Sequence, residues 1–212
     1  METGIIRLRL DGRWELADLS ELTSVYEQLY SVAYSLQPAD GRRDEKLDEI
    51  YTKFPWRGGY SAVNFYERLF YQVSPGERPK IASIRYSSPG HIDLMEVVAV
   101  AASIAAVVRF VAMSVDRAHD TYRRIQKASH DYKLSKISAK QEELKLSEAQ
   151  LKFIREAVEE MSRVLNLSRG ERNVLAKRTD GNQLAELKIL SSYYRRIKKL
   201  VDLYIQDKLF LD

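Results

Sequence analysis

The chain of 212 residues has no cysteine, which excludes disulfides, thiolate nucleophiles and cysteine metal sites. Only three histidines are present. Five prolines and nine glycines are present, and most of the breaks they make fall before residue 91. The start, METGIIRLRLDG, lacks the apolar stretch of a secretory signal, and a cytoplasmic location is the expectation. No GxGxxG, Walker lysine or GxSxG pattern occurs. No catalytic, cofactor-binding or metal residues are assigned, and the reading leans away from an enzyme.

What is present is helical and polar-apolar mixed. The chain is 45% hydrophobic and 30% charged, ordinary for a folded protein, with thirteen tyrosines that pair an apolar ring with a polar tip. Charge is uneven. Residues 1–90 carry a net of −1 and residues 91–212 a net of +5. The excess is milder than in dedicated nucleic-acid domains.

Alternation of Ile6, Leu8 and Leu10 with Arg7 and Arg9 predicts a half-buried strand. Asp11-Gly12 predicts a hairpin returning through Arg13–Leu16. Asp18 with Glu21 resembles a capping box for a helix whose apolar stripe runs from Leu19 to Leu36. A short helix before Pro55, another from about Ser61, and a strand over Lys80–Tyr86 follow. From Ile92 no strong breaker appears until about Ser147, so one long helix is expected, with Ser147 and Gln150 opening the next. Leu151, Ile154, Val158, Met161 and Leu165 keep a heptad. So do Leu187, Leu190, Tyr194, Ile197, Val201, Tyr204 and Leu211. The expected fold is α+β and predominantly α. A head with a small antiparallel sheet (1–90) precedes a helical body (91–212), which holds an apolar helix over 92–115 and a heptad-patterned bundle.

That apolar run, Val97–Val115, holds ten Val, Ile, Phe or Met residues and six alanines. On an insertion scale the large residues contribute roughly −3 to −5 kcal/mol, and Arg109 costs up to about +2.5 to +3.5. Hydropathy is therefore balanced between lipid and a protein core. More Lys/Arg follow the run than precede it, which would keep the C-terminal half cytoplasmic in a membrane. A buried or oligomer-forming helix is the favoured reading, and a single inner-membrane span with a cytoplasmic C-terminus the alternative. Ala99, Ala102, Ala106 and Ala112 share a face with Arg109, suited to close helix contact.

Other constellations favour plain structural roles. His119-Asp120 and His130-Asp131 are three turns apart, about 16 Å along a helix, too far to share one ion. His91 reads as a residue at a helix start, Gly58-Gly59 as a turn, and Asp180-Gly181-Asn182 as a cap for the last helix. Tyr193-Tyr194-Arg195-Arg196-Ile197-Lys198-Lys199 mixes rings and cations in the way nucleic-acid or acidic-lipid contacts require. The heptad, however, claims Tyr194 and Ile197 for a core, so nucleic-acid contact is the weaker reading.

The segments PWRGGYSAVNFYERLF and KIASIRYSSPGHI, within residues 55–92, resemble segments of uncharacterised bacterial proteins that pair a small strand-and-helix head with a long helix. The resemblance implies a bacterial origin. It also implies that Trp56, Arg57, Gly58, Gly59, Tyr60, Ser88, Pro89 and Gly90 form a structural signature. It supplies no catalytic residue. The functional expectation is a non-enzymatic interaction or scaffold module. It would form a homo-oligomer, or bind a companion protein, through the alanine face or a heptad seam.

Overall fold

The computed structural model describes residues 1–37, 41–53, 59–134, 137 and 146–211, with the side chains of 41–42 and 59–61 outside that description. Eight helices and four strands are found among them. The fold is α+β and predominantly α, built on one small antiparallel sheet.

The sheet joins segments far apart in sequence. Strand β1 (Thr3–Leu10) pairs along its whole length with β3 (Gly90–Val97), Thr3 opposite Val97 and Leu10 opposite Gly90. β2 (Lys80–Arg85) pairs with the other edge of β3, with a bulge between Ile81 and Ser83. β4 (Leu209–Leu211) pairs with Leu8–Leu10 of β1. The order is β2-β3-β1-β4. Alternation on β1 is as the sequence predicts: Leu8 and Leu10 are buried, while Arg7 and Arg9 face outward.

The hairpin expected at Asp11-Gly12 does not form. Gly12 has the positive φ (72°) of a turn, but the Trp14 indole donates to the Asp11 carbonyl and the chain goes directly into α1 (Leu16–Ser35). The place beside β1 belongs to β4, and Asp11 N–H donates to the Lys208 carbonyl at 2.9 Å. The capping box is also one turn earlier than expected, with Glu15 as cap and Asp18 reaching back.

The long helix from Ile92 is corrected in two places. Ile92–Val97 is strand, because β1 and β2 both supply backbone partners there. The apolar helix, α4, runs Val98–Ala112, and a bend of 91° at Met113–Ser114 separates it from α5 (Val115–Asp131). Fifteen residues span about 22 Å. No single described helix is long and apolar enough to cross a membrane, and α4 with α5 passes that test only as a bent pair.

The remaining helices are α2 (Gly41–Lys53), α3 (Gly59–Gln72), α6 (Glu148–Val164), α7 (Arg169–Arg178) and α8 (Gln183–Ile205). Ser147 and Gln150 form the expected capping box of α6, and Asn182 caps α8 through Ala185 N–H at 2.8 Å. Both heptad stripes are largely covered inside the chain, with Leu151 left exposed and Val158 and Tyr204 half-buried. Ile154, Met161 and Leu165 are buried, as are Leu187, Leu190, Tyr194, Ile197 and Val201, and α6 packs on α8. Leu211 has left the helix for β4. One contiguous core runs from Leu8 to Leu211 through both sides of residue 90, and the strands of the sheet come from both sides as well.

Candidate interaction surface

α4 has two unlike sides. Val100, Ala101, Ile104, Ala105, Val107, Val108 and Val111 are buried, against α1, α8 and the sheet. The opposite stripe is exposed: Ala99, Ala102, Ala106 and Arg109, bordered by Val98, Phe110 (40% exposed) and Met113 (87%). Ala112, the fourth alanine of the expected face, is half-buried. Spacing of 3, 4, 3 and 4 residues from Ala99 to Met113 makes the stripe run straight along the helix. Arg109 Nη1 lies 3.4 Å from the Leu211 carbonyl, at the margin of the stripe. Near its middle Ser103 Oγ is 3.4 Å from Glu171 Oε1, so a carboxylate borders the stripe nearly two turns before Arg109.

The aromatic–basic run of α8 is not gathered into a surface. Tyr193 and Tyr194 are buried, and Tyr194 stacks on Tyr122 with ring centroids 4.7 Å apart. Arg196 lies over the Tyr66 ring at 3.7 Å and donates to Ser192 and Gln28. Lys198 pairs with Asp202 at 2.7 Å and Lys199 with Glu21. Arg195 is exposed on the same helix. The rings that would stack on bases are thus committed to the interior.

Of the signature residues, Trp56, Arg57 and Gly58 lie outside the described residues, as does the side chain of Tyr60, and Gly59 opens α3. Ser88, Pro89 and Gly90 form the tight connection of β2 to β3. The Ser88–Pro89 peptide is cis, and Ser88 Oγ donates to Asp11. A Cβ on Gly90 would lie 2.6 Å from the Arg85 carbonyl oxygen and 2.7 Å from that of Ser87, so only glycine fits. His91 is on β3, not on a helix. Its Nε2 is 3.6 Å from Asp93, whose carboxyl is held down to about 2 by hydrogen bonds from Arg7 and Ser83. Among the described residues no three His, Cys, Asp or Glu side chains group to hold a metal ion.

The sequence reading missed a polar spine. Tyr26, Tyr30 and Tyr34 lie on one face of α1 at spacings of four. Tyr26 donates to Glu96 Oε1 at 2.7 Å, Tyr30 donates to the Glu77 carbonyl and accepts from Val97 N–H, and Tyr34 donates to the Glu77 carboxylate. Glu96 is fully buried, and its Oε2 has no hydrogen-bond partner among the described residues. Burial pushes its carboxyl up to about 7, against the opposing effect of the Tyr26 hydrogen bond. The i, i+4, i+8 tyrosines were the available signal. Nothing in the sequence marked Glu96, which sits among apolar neighbours of β3.

Comparison of the chain with protein families, with curated proteins and with solved structures finds no match.

Proposed function

We propose that the chain is a non-enzymatic, cytoplasmic interaction module that self-associates through the outer stripe of α4. One observation carries this reading: apart from Leu151 the heptad seams are largely covered within the chain, while the small-residue stripe of its most apolar helix is left bare.

A second copy complements the stripe. In an antiparallel crossing about Ala106, Ala102 falls opposite Phe110 of the other copy, and Ala99 falls opposite its Met113. Small residues then receive large ones, the arrangement that fills space without voids. Such an interface is isologous and closes at two copies.

Light scattering tests the reading. The wild-type chain should be a dimer at tens of micromolar, in low and high salt alike. Ala106→Glu should be a monomer of unchanged helical content. A wild-type monomer under those conditions would overturn the proposal. Alkaline carbonate washing of cells separates the membrane alternative: the chain should be extracted, and retention with the membrane would instead favour hydrocarbon contact by Phe110 and Met113.

A further inference from the structure

β2 is the outer strand of the sheet, and all six of its residues are exposed. An edge strand leaves every second N–H and C=O pointing away from its neighbour. Natural edges are normally polar, yet β2 keeps Ile81 at 60% and Ile84 at 57% exposure, and Tyr86 follows at 75%. Ile81 is opposite Leu94 and Ile84 opposite Ile92, so both isoleucines lie on the face of the sheet that carries the core. Helix α1 does not cover that margin. Between them lies a groove of about 210 Å³ lined by Leu8, Leu22, Tyr26, Pro79, Ile81 and Leu94.

The opposite face of β2 is charged. Lys80 lies opposite Met95 and Arg85 opposite His91, one cation at each end of the strand. Neither has an ion-pair partner among the described residues. A second copy of β2 added antiparallel in full register would set Lys80 against Arg85 at both ends, and like charges directly opposite are destabilising. On the groove side Glu27 stands on the α1 wall, which turns carboxylates away from that face.

We infer that the β2 edge captures an extended segment of another protein, in which apolar side chains alternate with carboxylates. Backbone pairing with β2 supplies the affinity common to strand addition. The bulge brings Ile81 and Ile84, three residues apart, to one face, and a segment that follows it lays its apolar residues over them in the groove and its carboxylates toward Lys80 and Arg85. This site is separate from the α4 stripe and stands or falls without it.

The probe is a fluorescein-labelled ten-residue peptide of alternating valine and glutamate, with a valine–lysine peptide as its counterpart. Anisotropy should show saturable binding of the glutamate peptide to the full chain. Hydrogen exchange should slow at residues 80–85 when it binds. Lys80→Glu/Arg85→Glu changes only exposed side chains. It should bind the glutamate peptide about tenfold more weakly, or about 1.4 kcal/mol, and prefer the lysine peptide. Ala106→Glu should leave peptide binding unchanged. Equal binding of both peptides by the wild type, protection confined to another segment, or no binding at about 1 mM peptide would overturn the inference. So would displacement of the peptide from β2 by a single-stranded oligonucleotide in preference to added unlabelled peptide.

Discussion

Tyr26 and Glu96 meet hydroxyl to carboxylate at 2.7 Å where α1 crosses β3, inside an otherwise apolar layer. The hydroxyl is this carboxyl's one hydrogen-bond donor among the described residues, and burial also raises the Tyr26 phenol well above its ordinary range, with the nearby Glu96 adding to the effect. Tyr26→Phe removes the donor and leaves a buried acceptor bare. A loss of about 1–3 kcal/mol in unfolding free energy is expected, measured by urea titration at pH 7.

The same carboxyl makes stability depend on pH. Its folded value, about 7, exceeds the ordinary 4.5, so the folded state holds the proton more tightly. The favourable contribution is complete below about 4.5 and is lost as pH rises through 7. The loss is on the order of 3 kcal/mol. Glu96→Gln should flatten the stability profile between pH 5 and pH 8 relative to wild type. An unchanged slope in that window would remove Glu96 as its source. Asp93 acts with the opposite sign, since its value is held down by Arg7 and Ser83, and its contribution disappears as pH falls toward 2.

Arg178 joins α7 to α1 and α2. It is 1% exposed, and its Nε donates to the Ser35 carbonyl while its two terminal nitrogens reach Asp48 and Asp44 at 2.8 and 2.9 Å. Arg178→Ala strands a buried carbonyl and two half-buried carboxylates. The expected cost is roughly 3–5 kcal/mol. Arg178→Lys should recover only part of it, because an ammonium cannot serve three directions with a planar fork. Thermal unfolding of the three proteins checks the order.

Gly90→Ala should cost about 1–3 kcal/mol, because its Cβ meets backbone oxygens that cannot swing aside. Gly76→Ala, with nothing within 4 Å of the added atom, is the matched control and should change stability by less than about 0.5 kcal/mol. Denaturation midpoints of the two variants make the comparison.

Asn182→Ala should cost about 1 kcal/mol by removing the oxygen that receives Ala185 N–H at the start of α8. The effect should show in chemical denaturation, since α8 carries much of the core.

Local chemistry was legible in the sequence where it decided the outcome. Ile6, Leu8 and Leu10 alternate because one face of β1 is buried, and Ser147 with Gln150 caps α6 because the backbone amides there have no other partner. The reading failed where distant partners decide. Leu94, Met95 and Glu96 carry no strand signature, and it is the edges of β1 and β2 that hold them extended. Asp11-Gly12 suits a hairpin, but β4, about two hundred residues later, takes the position. The bend after Ala112 contains neither glycine nor proline, so it is a product of packing. The alanines of α4 were visible as a stripe, but only the fold distinguishes the bare side of that helix from the covered one.

β1 emerges from the ribosome first among the strands, yet its neighbours are some eighty and two hundred residues downstream. Until those segments are made β1 has both flanks unpaired, whereas helices close on local contacts. The sheet is complete only when segments some two hundred residues apart in the chain have met. A nascent-chain guardian that shields Ile5–Leu10 would lower the risk of misassembly more than one acting along the helices.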